Sequence, residues 1–191
     1  MFDAAGPVLG IDPGVSRCGY GAVVRGTGGS LVAASFGVIH TDPEAELPER
    51  LAVLQREFDG LVRDLRPCAL AVERVLFQVN TRTAMSVGQA SGLALAVAGR
   101  TGVPVFHYSP NEVKLAVTGD GAAGKPQVQE MVARLLKLAQ PPRPADAADA
   151  LGLAVCHLGS AGLRTAVAAE GPAPDGLSRA VGAALAKESR R

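Results

Sequence analysis

The sequence predicts an α/β fold, a mixed five-stranded sheet flanked by helices, and three observations carry that reading. Strand-like runs at 8–12, 19–25 and 31–40 are separated by Gly-rich turns, the pattern of an antiparallel meander. Two short apolar runs follow, at 68–73 and 103–108, each after a helical stretch, so the first strand is expected beside later parallel strands. Finally, acids stand where elements begin or end: Asp12 closes the first run, Glu73 closes the fourth, and Asp146 and Asp149 open the last helix.

Each element has a local cause. Leu47, Leu51, Leu54, Phe58, Leu61 and Leu65 recur at steps of four and three, one buried helical stripe, and the helix stops before Pro67. The run 68–73 is wholly apolar until its final acid, as expected of an interior strand covered on both faces. A second helix, 84–100, carries Gly88, Gly92 and Ala96 four apart on one face; that face either packs tightly on the core, the reading preferred from the sequence, or meets a second copy. The run 103–108 reads as a third buried strand. Ser109-Pro110-Asn111-Glu112 then supplies an N-cap, a proline in the first turn and an acid three residues on. A glycine-rich loop, 119–124, leads to Lys125 and a helix over 126–138 with Val128, Met131, Val132, Leu135 and Leu138 on its apolar side. Prolines at 141, 142 and 144 deliver the chain to a last helix over 145–158.

With 191 residues and 48% apolar composition, one well-buried core is expected over 1–158, followed by a tail over 159–191 too rich in Ala, Gly, Pro and charge to fold alone. No stretch approaches the roughly 18–20 apolar residues of a membrane span, and no basic leader precedes an apolar run, so a cytoplasmic location is expected. Cys18, Cys68 and Cys156 are scattered among apolar neighbours and read as core thiols, not as a disulfide framework or a zinc site. The net charge of +1 hides an asymmetry: residues 40–73 hold eight acids against four bases, and residues 74–143 hold eight bases against three acids. The second segment could face a polyanion, although a solvated mixed surface gives similar counts.

Taken singly, the acids have ordinary explanations. Asp12-Pro13-Gly14 is a good turn, Glu73 beside Arg74 a plausible strand end, and Asp146 complements the positive end of a helix dipole. Together they suit hard-cation chemistry. The expected topology places Asp12 and Glu73 side by side, and Asp146 and Asp149, three apart on a helix, share a face about 5–6 Å apart at Cβ. Hydrolysis of a phosphodiester needs several oxygen ligands from distant parts of a chain, and two ions about 3.5–4 Å apart activate water and stabilise the leaving oxygen.

Five blocks in order, Leu9-Gly10-Ile11-Asp12-Pro13-Gly14, Ala71-Val72-Glu73-Arg74-Val75, Gly88-Gln89-Ala90, Lys125-Pro126-Gln127-Val128-Gln129 and Ala145 through Leu151, resemble the RuvC family of bacterial Holliday junction resolvases over residues 8–158. The resemblance implies a ribonuclease H-like fold, a homodimer, and Mg2+-dependent cleavage of two opposed strands at a four-way DNA junction, with two ions per active site and Mn2+ able to substitute. It places the family's metal-binding catalytic acids on Asp12, Glu73, Asp146 and Asp149, and its DNA-contacting lysines on Lys114 and Lys125. Arg74 and Phe77 are further DNA-binding candidates. Many relatives carry a base-stacking aromatic three residues after the glutamate, but that position is Leu76 here, and the aromatic is its neighbour Phe77. A branch-migration complex, RuvA–RuvB, is the partner the family implies.

His157 lies eight residues beyond Asp149, about 12 Å along a straight helix, too far to share an ion. His107 reads as a satisfied structural histidine. Two other activities share the first block or the fold. Actin-like ATPases and sugar kinases have a similar first phosphate loop, but their second loop and adenosine pocket are not visible in this sequence. A related nuclease acting on RNA is a nearer rival, opposed by Lys125 and the helix-face motifs. A junction binder without nuclease activity is disfavoured, because negative charge beside phosphates costs affinity.

Overall fold

The computed structural model describes residues 6–74 and 81–169. Five strands, β1 (Val8–Asp12), β2 (Arg17–Arg25), β3 (Leu31–His40), β4 (Ala69–Glu73) and β5 (Val105–Tyr108), form one sheet in the order β3-β2-β1-β4-β5. The first three pair antiparallel, as the meander predicts, while β4 runs parallel to β1 and β5 parallel to β4. The helices are α1 (Leu47–Leu65), α2 (Thr81–Thr101), α3 (Pro110–Thr118), α4 (Lys125–Leu135) and α5 (Ala145–Ala169).

Alternation along the central strands sorts the core into two layers. Leu9, Ile11, Leu70 and Val72 pack with Leu54, Phe58, Ala94 and Val97 of α1 and α2. On the opposite face Val8, Ala69 and Ala71 pack with Val113, Val132, Leu151 and Ala154 of α3, α4 and α5. Both faces of β1 and β4 are therefore covered, which is why these strands are nearly all apolar.

Helix α1 has the predicted bounds, ends at Arg66 in the left-handed region with φ 47°, and buries Leu54, Phe58 and Val62. Helix α3 begins at the predicted capping box: the Ser109 side chain accepts from the Glu112 N–H, and the Glu112 carboxylate accepts from the Ser109 N–H.

Several expectations are corrected. Strand β5 lies at the sheet edge with only Tyr108 fully buried, so it is not an interior strand. Helix α2 packs on α1 through Ala90, Ala94, Val97 and Ala98, and leaves Gly88, Gly92 and Ala96 exposed, the reverse of the preferred core reading. On α4, Leu135 is exposed while Ala133, and Leu136 just past the helix end, are buried. Helix α5 continues to Ala169, past the expected end at 158. Leu76 and Phe77, and the tail beyond 169, lie outside the described residues. Among the described residues no helix is long and apolar enough to cross a membrane.

Candidate active site

Strand pairing creates the first half of the site. Ile11 lies opposite Val72 in the parallel β1–β4 ladder, so Asp12 and Glu73 leave adjacent strands one position later, on the layer that faces α5. The loop after Asp12 is pinned from behind. Thr41 Oγ1 donates to the Val15 carbonyl at 2.7 Å, the Thr41 N–H donates to the Ser16 carbonyl at 3.2 Å, and Arg50 donates to both Thr41 Oγ1 and Ser16 Oγ.

Glycines on β1 and β2 admit the second half. A Cβ at Gly10 would meet the Ala150 carbonyl oxygen at 1.9 Å, one at Gly19 the Asp146 carbonyl oxygen at 2.1 Å, and one at Gly21 the Leu151 nitrogen at 2.7 Å. Helix α5 thus rests directly on strand backbone, and its first turns carry Asp146 and Asp149 to the acids below.

The resulting cleft is lined by Asp12, Glu73, Asp149, Lys114 and Lys125, with Val113 and Val128 among its apolar walls. Lys125 Nζ lies 3.7 Å from Asp149 Oδ2, and Arg17 at the start of β2 is ion-paired with Asp146 beside the cleft. Of the predicted residues, five line this cleft and Asp146 joins them electrostatically. Arg74 does not: it lines a separate depression with His107, Gly88, Ser91, Gly92 and Leu95. Phe77 lies outside the described residues.

Crowded carboxylates shift one another. Asp12 is pushed up to about 8, first by burial, then by the charge of Glu73 and a hydrogen bond with it, and then by Asp149 and Asp146. Burial likewise raises Asp149, aided by Asp146 and opposed by the Lys125 ammonium. Cys18, on the other face of the sheet, is pushed up to about 12 by burial, so its thiol stays protonated and offers no thiolate donor.

As they stand, no three His, Cys, Asp or Glu side chains among the described residues close round a single point. The donor set nevertheless fits a hard divalent cation: its donors are carboxylate oxygens, and the mutual repulsion that lifts Asp12 is what a cation would relieve. His157 is no part of it. Its Nδ1 lies 2.8 Å from the Tyr108 hydroxyl and its ring centroid lies 4.5 Å from that of Phe106, tilted by 49°, within the core. His107 is exposed on the edge strand, which corrects its reading as a satisfied structural histidine.

Sequence reasoning missed Arg17 and the glycines that seat α5. Glycines two apart in a strand, Gly19 and Gly21, are a signal of close backbone approach that could have found the latter. Arg17 had no signal, since its partner is 129 positions away.

The model of the family "Crossover junction endodeoxyribonuclease RuvC" matches residues 8–157. Crossover junction endodeoxyribonuclease RuvC of Salinispora arenicola is 52% identical over 162 residues, spanning 85% of this chain and 93% of that one. The protein of the same name from Thermobifida fusca is 50% identical over 151 residues, or 79% and 83% of the two chains. The solved structure of T. thermophilus RuvC in complex with a Holliday junction substrate superposes with a TM-score of 0.79 at 36% identity, over 84% of this chain and 97% of that one.

Proposed function

The chain belongs to the RuvC family of crossover junction endodeoxyribonucleases, with a ribonuclease H-like fold, and from that premise we propose that it resolves four-way DNA junctions by paired, metal-dependent phosphodiester hydrolysis. The observation that carries this reading is the convergence of Asp12 and Glu73, from neighbouring parallel strands, with Asp149 and two lysines in one cleft.

Asp12, Glu73 and Asp146 are the principal metal-holding residues, with Asp149 a further ligand or a partner to one. Two Mg2+ ions are proposed, with Mn2+ as a substitute. Bound there, the cations supply Lewis acidity that activates water and stabilises the leaving oxygen. The protein's own contribution is placement. The β1–β4 pairing aims two carboxylates into the cleft, and α5, seated on glycine, fixes two more at its rim. Lys114 and Lys125 line the same cleft and provide point charges for a phosphate backbone.

Paired incision needs two sites, and a homodimer through α2 is the proposed source. The exposed Gly88, Gly92 and Ala96, flanked by Met85 at 65% and Leu95 at 37% exposure, support a face that a second copy covers. By family, the RuvA–RuvB branch-migration complex is the partner and the cytoplasm the location. The test compares Mg2+-dependent cleavage of a mobile four-way junction, a linear duplex and an RNA hairpin by wild type and Asp146→Asn. Paired cuts in the junction alone, abolished in the variant while junction binding persists, are expected. Cleavage of RNA with the junction left intact would overturn the substrate.

A further inference from the structure

Asp146 is held by a cation 129 positions away in the sequence. Arg17 donates through Nη2 to Asp146 Oδ2, joining the first residue of β2 to the first turn of α5. The arginine is presented rigidly: its backbone is in register opposite His40, and the preceding Ser16 is bonded through both its carbonyl and its hydroxyl to Thr41 and Arg50. The Arg17 side chain is 50% exposed and that of Asp146 27%, so the pair is open to ions from solution. Lys125 stands in a comparable relation to Asp149, but at 3.7 Å and with a side chain 76% exposed.

We infer that Arg17 is a place-holding cation, a positioning residue that neutralises and orients Asp146 until a divalent ion takes the same carboxylate. The inference rests on the reading of the acids as a metal site. A guanidinium and a dication repel each other across one carboxylate, so an ion that takes the Oδ2 now held by Arg17 competes with the pair. Arg17 therefore stabilises the metal-free protein and weakens its hold on metal. It sets the concentration at which the cluster fills, and on release it stands at the rim of the cleft with its charge free.

The experiment titrates full-length wild type, Arg17→Met and Arg17→Lys with MgCl2 at constant ionic strength, without DNA, following heat of binding and melting temperature. Arg17→Met is expected to melt lower than wild type without metal and to bind Mg2+ at about fivefold lower concentration, the size of effect one partly exposed ion pair produces. Arg17→Lys, which keeps the charge, returns the midpoint toward wild type. In wild type, the Arg17 guanidinium 15N resonances move as Mg2+ is added, a readout that needs no variant to fold. An unchanged or higher midpoint in Arg17→Met, a Lys variant indistinguishable from Met, or static Arg17 resonances in protein that binds Mg2+ would overturn the place-holder and leave the metal site standing. Wild type that binds no Mg2+ at all would overturn both.

Discussion

Gly10 lies under the Ala150 carbonyl so closely that a Cβ on it would sit 1.9 Å from the oxygen. Strand backbone and helix backbone meet there without side chains between them. The obstacle is main chain, so no rotamer change can relieve it. Gly10→Ala is expected to lift α5 from the sheet, costing about 3 kcal/mol or more in urea denaturation. It should also reduce cleavage steeply, because Asp146 and Asp149 move with the helix. Gly99→Ala, in the interior of α2 with nothing within 4 Å of the added Cβ, is the control: it should leave cleavage unchanged and raise stability by about 0.5–1 kcal/mol through helix propensity.

Asp12 gives the metal-free protein a characteristic pH dependence. Its folded-state value, about 8, lies above the ordinary 3.8, so between those limits the native state binds a proton that the unfolded state releases. Unfolding free energy therefore falls as pH rises through this window and levels off above about 8, a change on the order of a few kcal/mol. Asp12→Asn should abolish most of that slope and make the metal-free protein more stable than wild type at pH 8, while eliminating cleavage. Denaturation at several pH values in chelator checks this. Added Mg2+, which favours the ionised carboxylate, should flatten the wild-type slope.

Lys125 contributes one charge at the mouth of the cleft. Lys125→Met should weaken junction binding and reduce the slope of log affinity against log salt by about one, the signature of a single phosphate contact. Fluorescence anisotropy across a salt series measures it. Lys114→Met, from the same cleft, should show a similar change, whereas an unaltered slope in either variant would remove that lysine from the DNA path.

Leu95 sits on the exposed face of α2 beside Gly92. Leu95→Glu should convert the proposed dimer to monomers in sedimentation velocity while leaving the circular dichroism spectrum intact, since Leu95 is 37% exposed in the single chain. Monomers are expected to keep Mg2+ binding and lose coordinated incision.

Local pattern and strand alternation carried most of the fold. The bounds of α1 and β3, the capping box at Ser109 and the adjacency of Asp12 with Glu73 all follow from periodicity, turn chemistry and crossover topology. Helix α2 shows where such reasoning stops. Small residues occupy both of its sides, Gly88, Gly92 and Ala96 on one and Ala90, Ala94 and Ala98 on the other, so spacing told which residues share a face but not which face is covered. On α4 the leucine at 135 fitted the apolar stripe, yet Ala133 and Leu136 take the buried positions. The cleft was legible through its acids and Lys125 because each belongs to a motif, while Lys114, outside every quoted block, was placed by family resemblance alone. Arg17 belongs to none, and its role exists only when β2 and α5 are brought together.

The docking of α5 on glycine also divides the site between the two ends of the chain. Strands β1 and β4, both complete by Glu73, supply only two of the four carboxylates. The other two lie on the last described helix, whose backbone rests on Gly10, Gly19 and Gly21 of β1 and β2. A nascent or truncated chain lacking α5 has half of its acids and no rim to the cleft. The cleft is therefore complete only when the last described helix is in place on the strands that seat it.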